Sequence, residues 1–349
     1  MSFPTVSLGE ALNSRDNALN AVRLILASLV ILSHVGPILA LENFPWWAPA
    51  LGGWAVSGFF VISGYLIAGS RDHLTFGRFL VRRSARIYPA FWVQLIAVAA
   101  IAAPLAKLAG AGTFSISEAL SFVWKNATLY IAQWEIGTTP PNYPAWNGSL
   151  WTLFYEFGAY LAVGTIFGIP WVRRHGAPMA ALLALCAYSV YPLSGPLDIT
   201  TNLYLNAAKL AVFFLVGVLA YYLRNVIPAR WDLIAVAGAL VIVIYIYGDM
   251  NYFAHLPLGY LVLATGAIWK VRWGAVNDIS YGVYIYAFPI QHLLGIYLGV
   301  DTWGYALAAA ACLVATIPVA WASWIFVERP VINWARRMTP RRKRPIEAA

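Results

Sequence analysis

A bilayer's hydrocarbon core, about 30 Å thick, takes about 20 residues of helix to cross. About ten runs of this chain have that length and almost no charge: about 20–40, 49–69, 87–105, 150–170, 177–193, 204–223, 231–248, 255–270, 281–299 and 304–326. Backbone in lipid finds no water to bond to and must satisfy itself along each segment. The runs therefore predict an all-α, polytopic membrane protein of about ten transmembrane helices. Composition agrees, since 61% of the 349 residues are hydrophobic, only 11% are charged and the mean hydropathy is +0.69, which excludes an ordinary soluble domain. The first run carries Arg23 and His34 and has no small-residue cleavage site, so it reads as an uncleaved span rather than a signal peptide. Residues 115–133, "SISEALSFVWKNATLYIAQ", are apolar but broken by Lys125 and Asn126, and read as a helix on the membrane surface rather than a further span.

The formal charge of +9 is confined to short segments between runs. Arg71, Arg78, Arg82, Arg83 and Arg86 follow the second run, Arg173 and Arg174 the fourth, Arg224 and Arg230 the sixth, and Lys270 and Arg272 the eighth. A basic tail, 336–349, follows the transmembrane domain, 1–335. Alternate connections are basic, and the others hold only Lys107 and Lys125. The positive-inside rule then puts both termini in the cytoplasm. Cations arranged this way report topology, not a nucleic-acid partner. Cys186 and Cys312 lie in apolar runs without metal-ligand spacing, so neither a disulfide nor a metal is expected.

The connection 106–149 falls on the opposite, extracytoplasmic side and ends "WEIGTTPPNYPAWNGSLW". Its aromatics suit either an interfacial belt or stacking on sugar rings. "NAT" and "NGS" have the form of glycosylation sequons.

Ionisable groups inside spans are costly and are candidate functional groups by default. Arg23 and His34 are eleven positions apart, within about 20° of three full helical turns and about 16 Å along the axis. They share one face, with Arg23 near the cytoplasmic surface, where it could also serve as a snorkelling anchor. Imidazole titrates near neutrality and can act as base, acid or acyl carrier. Glu156, in "SLWTLFYEF", is reckoned to reach a depth similar to His34, so the two are expected to meet as a base and its orienting carboxylate. Lys209 is the alternative partner for Glu156. On the cytoplasmic side, Arg78, Arg82 and Arg86 form a stripe if their segment is helical, with Arg83 three residues before Arg86. Guanidinium groups suit bidentate phosphate contacts, although a topogenic role explains the charge equally well. Asp278, Ser280 and Tyr281 open the ninth run, and Glu328 closes the tenth, where it could hold one of the arginines.

Together these residues resemble the acyltransferase-3 family of integral-membrane O-acyltransferases over about 17–335. The family's basic residue, ten positions, then His is matched by Arg23 and His34. "GFFVISGYLI" is similar to its second span, Arg83 and Arg86 match its Arg-x-x-Arg, and "SLWTLFYEF", "SYGVYIYAFPI" and "FVERP" match later motifs in family order. Where many relatives carry a His, this chain has Ala287, so that role is absent or falls to His292. The hydrolase-like extracytoplasmic domain fused to some relatives is not expected.

The resemblance implies transfer of an acyl group, commonly acetyl, from cytoplasmic acyl-CoA to a hydroxyl of a carbohydrate acceptor, in a bacterial cytoplasmic membrane, with polysaccharide-export machinery as a candidate partner. Arg23, Arg83 and Arg86 would hold the CoA phosphates, His34 would deprotonate the acceptor or carry the acyl group, and Glu156 would assist it. Arg82, Tyr281 and Glu328 would support the site. The 16 Å between Arg23 and His34 is about the length of a pantetheine arm. A transporter or flippase for a polysaccharide or lipid-linked sugar is the alternative, though such proteins often carry repeats, and none is apparent here.

Overall fold

The computed structural model describes residues 6–13, 17–196 and 201–340. Its principal helices are α1 (Leu19–Leu39), α2 (Ala50–His73), α3 (Phe76–Leu108), α4 (Ile116–Asn126), α5 (Thr152–Ile166), α6 (Gly176–Ser194), α7 (Asn202–Tyr222), α8 (Trp231–Tyr247), α9 (His255–Ile268), α10 (Ser280–Leu298) and α11 (Tyr305–Met338). There is no strand among the described residues. A helix stands at each of the ten predicted runs. Six of them, α1, α2, α3, α6, α7 and α11, are long and apolar enough to cross a membrane, and α8 and α9 are shorter apolar helices. The chain is an all-α, multi-pass membrane protein.

α5 and α10 fall outside those sets for different reasons. α5 has only 15 residues, because the segment leading into it, including Ala145, Trp146, Asn147, Ser149 and Leu150, is already buried before the helix begins. α10 has the length, but carries Ser, Gln, His and four tyrosines. It can afford them because every residue from Ser280 to Pro289 is buried in protein. A helix that never meets lipid need not be apolar, provided its polar groups are bonded. Tyr281 donates to the Ile87 carbonyl at 2.8 Å and Gln291 to the Ile31 carbonyl at 3.0 Å, tying α10 to α3 and α1.

The outer helices show the converse. Leu182, Leu185, Val236, Ile242, Val314 and Phe326 point outward, each at least half exposed. Such a surface requires hydrocarbon around it. α2 and α7 cross with their backbones in contact at Gly64 and Gly217, as small residues allow between membrane helices.

α4 has 11 residues, about 16 Å, too short to cross. Ala119, Phe122 and Asn126 face inward, while Ile116, Leu120 and Trp124 form an outward stripe at i, i+4, i+8, the arrangement of a surface helix. Both sequon asparagines are structural. Asn126 is fully buried and bonds Ala132, and Asn147 is fully buried and accepts from Gln94 at 2.7 Å. Trp146 is likewise a core side chain, neither a belt residue nor a sugar platform. The arginine stripe is helical as expected, continuous with the third span. α11 extends through a π-turn, Trp324–Glu328, to Met338, past the 335/336 boundary.

Candidate active site

Three adjoining cavities run through the bundle. The widest, about 600 Å³, opens at the end rich in arginine and includes Asn20, Arg23, Arg83, Arg86, Asp278 and Arg336 in its wall. A narrow middle cavity, about 80 Å³, shares Arg23, Arg83 and Arg86 with it and adds Ser63, Glu156 and Tyr281. A third, about 160 Å³, shares Val56, Thr152 and Tyr284 with the middle one and reaches His34 and Lys209. The series follows the axis of α1, from Arg23 in its second turn to His34 in its last turns.

At the wide end Asp278 organises the cations. Its Oδ2 accepts from Arg23 at 2.7 Å and from Arg86 at 2.6 Å, and its Oδ1 accepts from the Ser280 hydroxyl at 2.6 Å. Burial alone would raise this carboxyl, but the two guanidiniums outweigh it and hold it well below the usual carboxylate range. Glu328 is the acid that the sequence suggests could hold one of the arginines. Instead Glu328 accepts from Ser323 at 3.2 Å, its Oε2 has no partner, and it makes no ion pair among the described residues. The reason is placement: Asp278 lies in the turn entering α10, between α1 and α3.

Removing one partner from a buried ion pair costs about 3–5 kcal/mol. Asp278→Asn should therefore lower the thermal unfolding temperature of the detergent-solubilised protein markedly at neutral pH. A carboxyl held low stabilises the fold above its unfolded pKa and loses that contribution as pH falls. The difference between wild type and variant should thus shrink on acidification; a constant difference would refute the assignment.

Among the described residues Arg83 has no carboxylate partner within ion-pair distance. Its Nη2 donates to Ser70 Oγ at 2.5 Å, its buried Nε is unbonded, and its guanidinium lies 5.7 Å and 5.8 Å from the rings of Phe79 and Tyr160. One carboxylate between Arg23 and Arg86, with Arg83 beside them, leaves the wall of the wide cavity with surplus positive charge. Arg82 lines the wide cavity as well, but it and Arg78 make their hydrogen bonds elsewhere. Arg82 donates to the Thr339 hydroxyl at 2.8 Å and to its carbonyl, and Arg78 to the Pro340 carbonyl at 3.2 Å, so both fasten the end of α11.

Glu156 and His34 do not share a cavity. Glu156 accepts from Ser63 Oγ at 2.8 Å and from the Tyr160 hydroxyl, inside the middle cavity with the arginines. Between it and His34 stands a partition in which Thr152 Oγ1 and Tyr284 Oη lie 2.6 Å apart and Tyr284 also donates to the Ser149 carbonyl. Glu156 lies one helical turn beyond Thr152, which lines both cavities, and so falls on the side shared with the arginines. Lys209, the other partner considered for Glu156, lies in the third cavity with His34.

His34 is oriented by backbone instead. Its Nδ1 lies 2.8 Å from the Val30 carbonyl and 2.8 Å from Ser33 Oγ. A carbonyl only accepts, so Nδ1 carries the proton and Nε2 the lone pair. The ring packs on Phe288 at 4.8 Å, and Gly52 adjoins its Cε1 and the cavity. His292 is separate. Its Nε2 donates to the Ala145 carbonyl at 3.1 Å, and it faces a different cavity near the 106–149 connection. Ser63, Tyr160, Thr152 and Tyr284 went unnoticed as site residues, since nothing local distinguishes a cavity-facing hydroxyl from a structural one. Asp278 carried a signal, an acid beside a helix start at a basic membrane face.

The family model described as an acyltransferase domain, acyltransferase-3, matches residues 16–325. The chain is 27% identical to nodulation protein 10 of Rhizobium leguminosarum bv. viciae, over 93% of this chain and 96% of that protein. It is 26% identical to an O-acetyl transferase of Shigella phage Sf6, over 80% of this chain and 86% of that protein. No solved structure matches. With the family's basic residue and histidine at the two ends of one line of cavities, the chain belongs to the acyltransferase-3 family and is an integral-membrane acyltransferase.

Proposed function

We propose that this enzyme transfers an acyl group, most simply acetyl, from acyl-CoA to a hydroxyl of a cell-surface or exported carbohydrate. The observation that carries this reading is the line of cavities, wide and cationic at one end, narrow in the middle, and ending on a histidine with a free lone pair. By the positive-inside rule the arginine-rich end faces the cytoplasm, in a bacterial cytoplasmic membrane, with the acceptor approaching from the other side. Association with polysaccharide-export machinery fits the same arrangement.

On this reading Arg23, Arg83 and Arg86 bind the phosphates of the nucleotide in the wide cavity, whose wall all three share. The narrow cavity admits a slim arm past Glu156, whose hydrogen bonds to Ser63 and Tyr160 hold that wall in place. The acyl carbon would have to pass the Thr152–Tyr284 partition to reach His34. There Nε2 takes the acceptor's hydroxyl proton as oxygen bonds to the acyl carbon; the carbon–sulfur bond breaks, and the thiolate recovers a proton from the imidazolium. Acyl carriage by His34 uses the same nitrogen.

The test is thiol release from acetyl-CoA by purified enzyme, with the acceptor product weighed by mass spectrometry. Arg83→Met should raise KM for acetyl-CoA about 10–100-fold, the worth of a charged hydrogen bond, with kcat nearly unchanged. An unaltered KM would remove Arg83 from the donor site.

A further inference from the structure

Lys209 sits in the wall of the cavity that ends on His34. It lies on α7, seven residues and about 10 Å from the helix start, at a depth where a cation is costly unless paired. Its ammonium makes no hydrogen bond or ion pair among the described residues. Among the described residues Asp249 is the carboxylate whose field reaches it, and that carboxylate caps a neighbouring turn by accepting from the Asn251 N–H at 2.7 Å. Among the described residues no acidic side chain lines the cavity, whose other polar side chains are His34, Ser149, Trp151, Thr152 and Tyr284. Among the described residues, therefore, no carboxylate pairs directly with Lys209, which faces the same space as the lone pair of His34.

Resting on the acyl-transfer reading, we infer that the acceptor is anionic, with Lys209 binding its negative group while His34 acts on a hydroxyl of the same molecule. The shared chemistry is an oxyanion, either the carboxylate of an acidic sugar or the phosphate joining a sugar to a lipid. Lys209 takes no part in bond making. It fixes which acceptors are held, so its removal should act on KM rather than kcat.

Three probes separate the possibilities: methyl β-D-glucuronide, glucose 1-phosphate and methyl β-D-glucoside, which is neutral. Thermal shift of the detergent-solubilised full chain, without acyl-CoA, reads binding. Thiol release from acetyl-CoA reads turnover. At least one anionic probe should stabilise wild type where the glucoside does not, and which one does so identifies carboxylate or phosphate. In turnover its KM should be at least 10-fold lower than that of the glucoside. Lys209→Met should abolish the shift and bring the two KM values together with kcat within about twofold, while Lys209→Arg should retain the preference. Equal or absent shifts for all probes, or a shift that survives in Lys209→Met, would overturn the inference. A Lys209-dependent shift without thiol release would leave the anion site standing and refute acyl transfer to these sugars. If Lys209→Met does not purify folded, Lys209→Gln gives the same reading.

Discussion

His34→Ala should lower kcat for acyl transfer by about 10²–10⁴-fold, the usual contribution of a positioned base. The expectation rests on one nitrogen. The Val30 carbonyl fixes the proton on Nδ1, so Nε2 is the atom available to chemistry, and no neighbouring carboxylate can stand in for it because Glu156 is in another cavity. KM for acyl-CoA should change little, since Arg23 lies about 16 Å away along α1 and Arg83 and Arg86, on α3, line other cavities than His34. The ring also packs on Phe288, so alanine would cost some stability. His34→Gln, closer in volume and without a basic nitrogen, separates the two effects: it should be as inactive as alanine while unfolding nearer to wild type. Glutamine retaining more than about a tenth of wild-type kcat would show that His34 acts by packing, and the proton acceptor would have to be sought elsewhere.

What was legible in the sequence follows from which interactions are local. The apolar runs, the surface character of α4 and the shared face of Arg23 and His34 depend on helical period and length alone, and all of them stand in the structure. Partner assignments failed where they needed distances between helices. Counting residues along α5 gives the position of Glu156 on its own helix, but which cavity it enters depends on the neighbouring Thr152 and Tyr284. Glu328 and Asp278 are both acids near the arginine-rich end, and only packing decides that Asp278 reaches Arg23 and Arg86. The arginine stripe was correct as geometry, yet its members divide: Arg86 goes to Asp278, while Arg78 and Arg82 hold the end of α11.

Gly64→Ala should leave little folded protein, and Gly64→Val less. A Cβ at Gly64 would stand 1.9 Å from the Phe214 carbonyl oxygen and 3.1 Å from the Val218 nitrogen; one at Gly217 would stand 2.0 Å from the Val61 carbonyl oxygen. Overpacking typically costs about 1–3 kcal/mol when side chains can yield. Here the obstacle is backbone on both sides, so relief requires the helices to part. α2 carries Gly52 and Val56 beside His34 and Ser63 beside Glu156, and α7 carries Lys209, so parting them displaces walls of both inner cavities. The measure is the monodisperse fraction after detergent extraction, with unfolding temperature for whatever survives. Gly158→Ala is the control: nothing lies within 4 Å of the added Cβ, and alanine is favoured over glycine inside a helix by about 0.5–1 kcal/mol, so that variant should be at least as stable as wild type. If Gly64→Ala behaved like Gly158→Ala, backbone contact at this crossing would be refuted. Because both glycines relieve the same crossing, Gly217→Ala should repeat the loss. Once the helices have parted for one methyl the second has room, so the double variant should cost less than the two single losses combined.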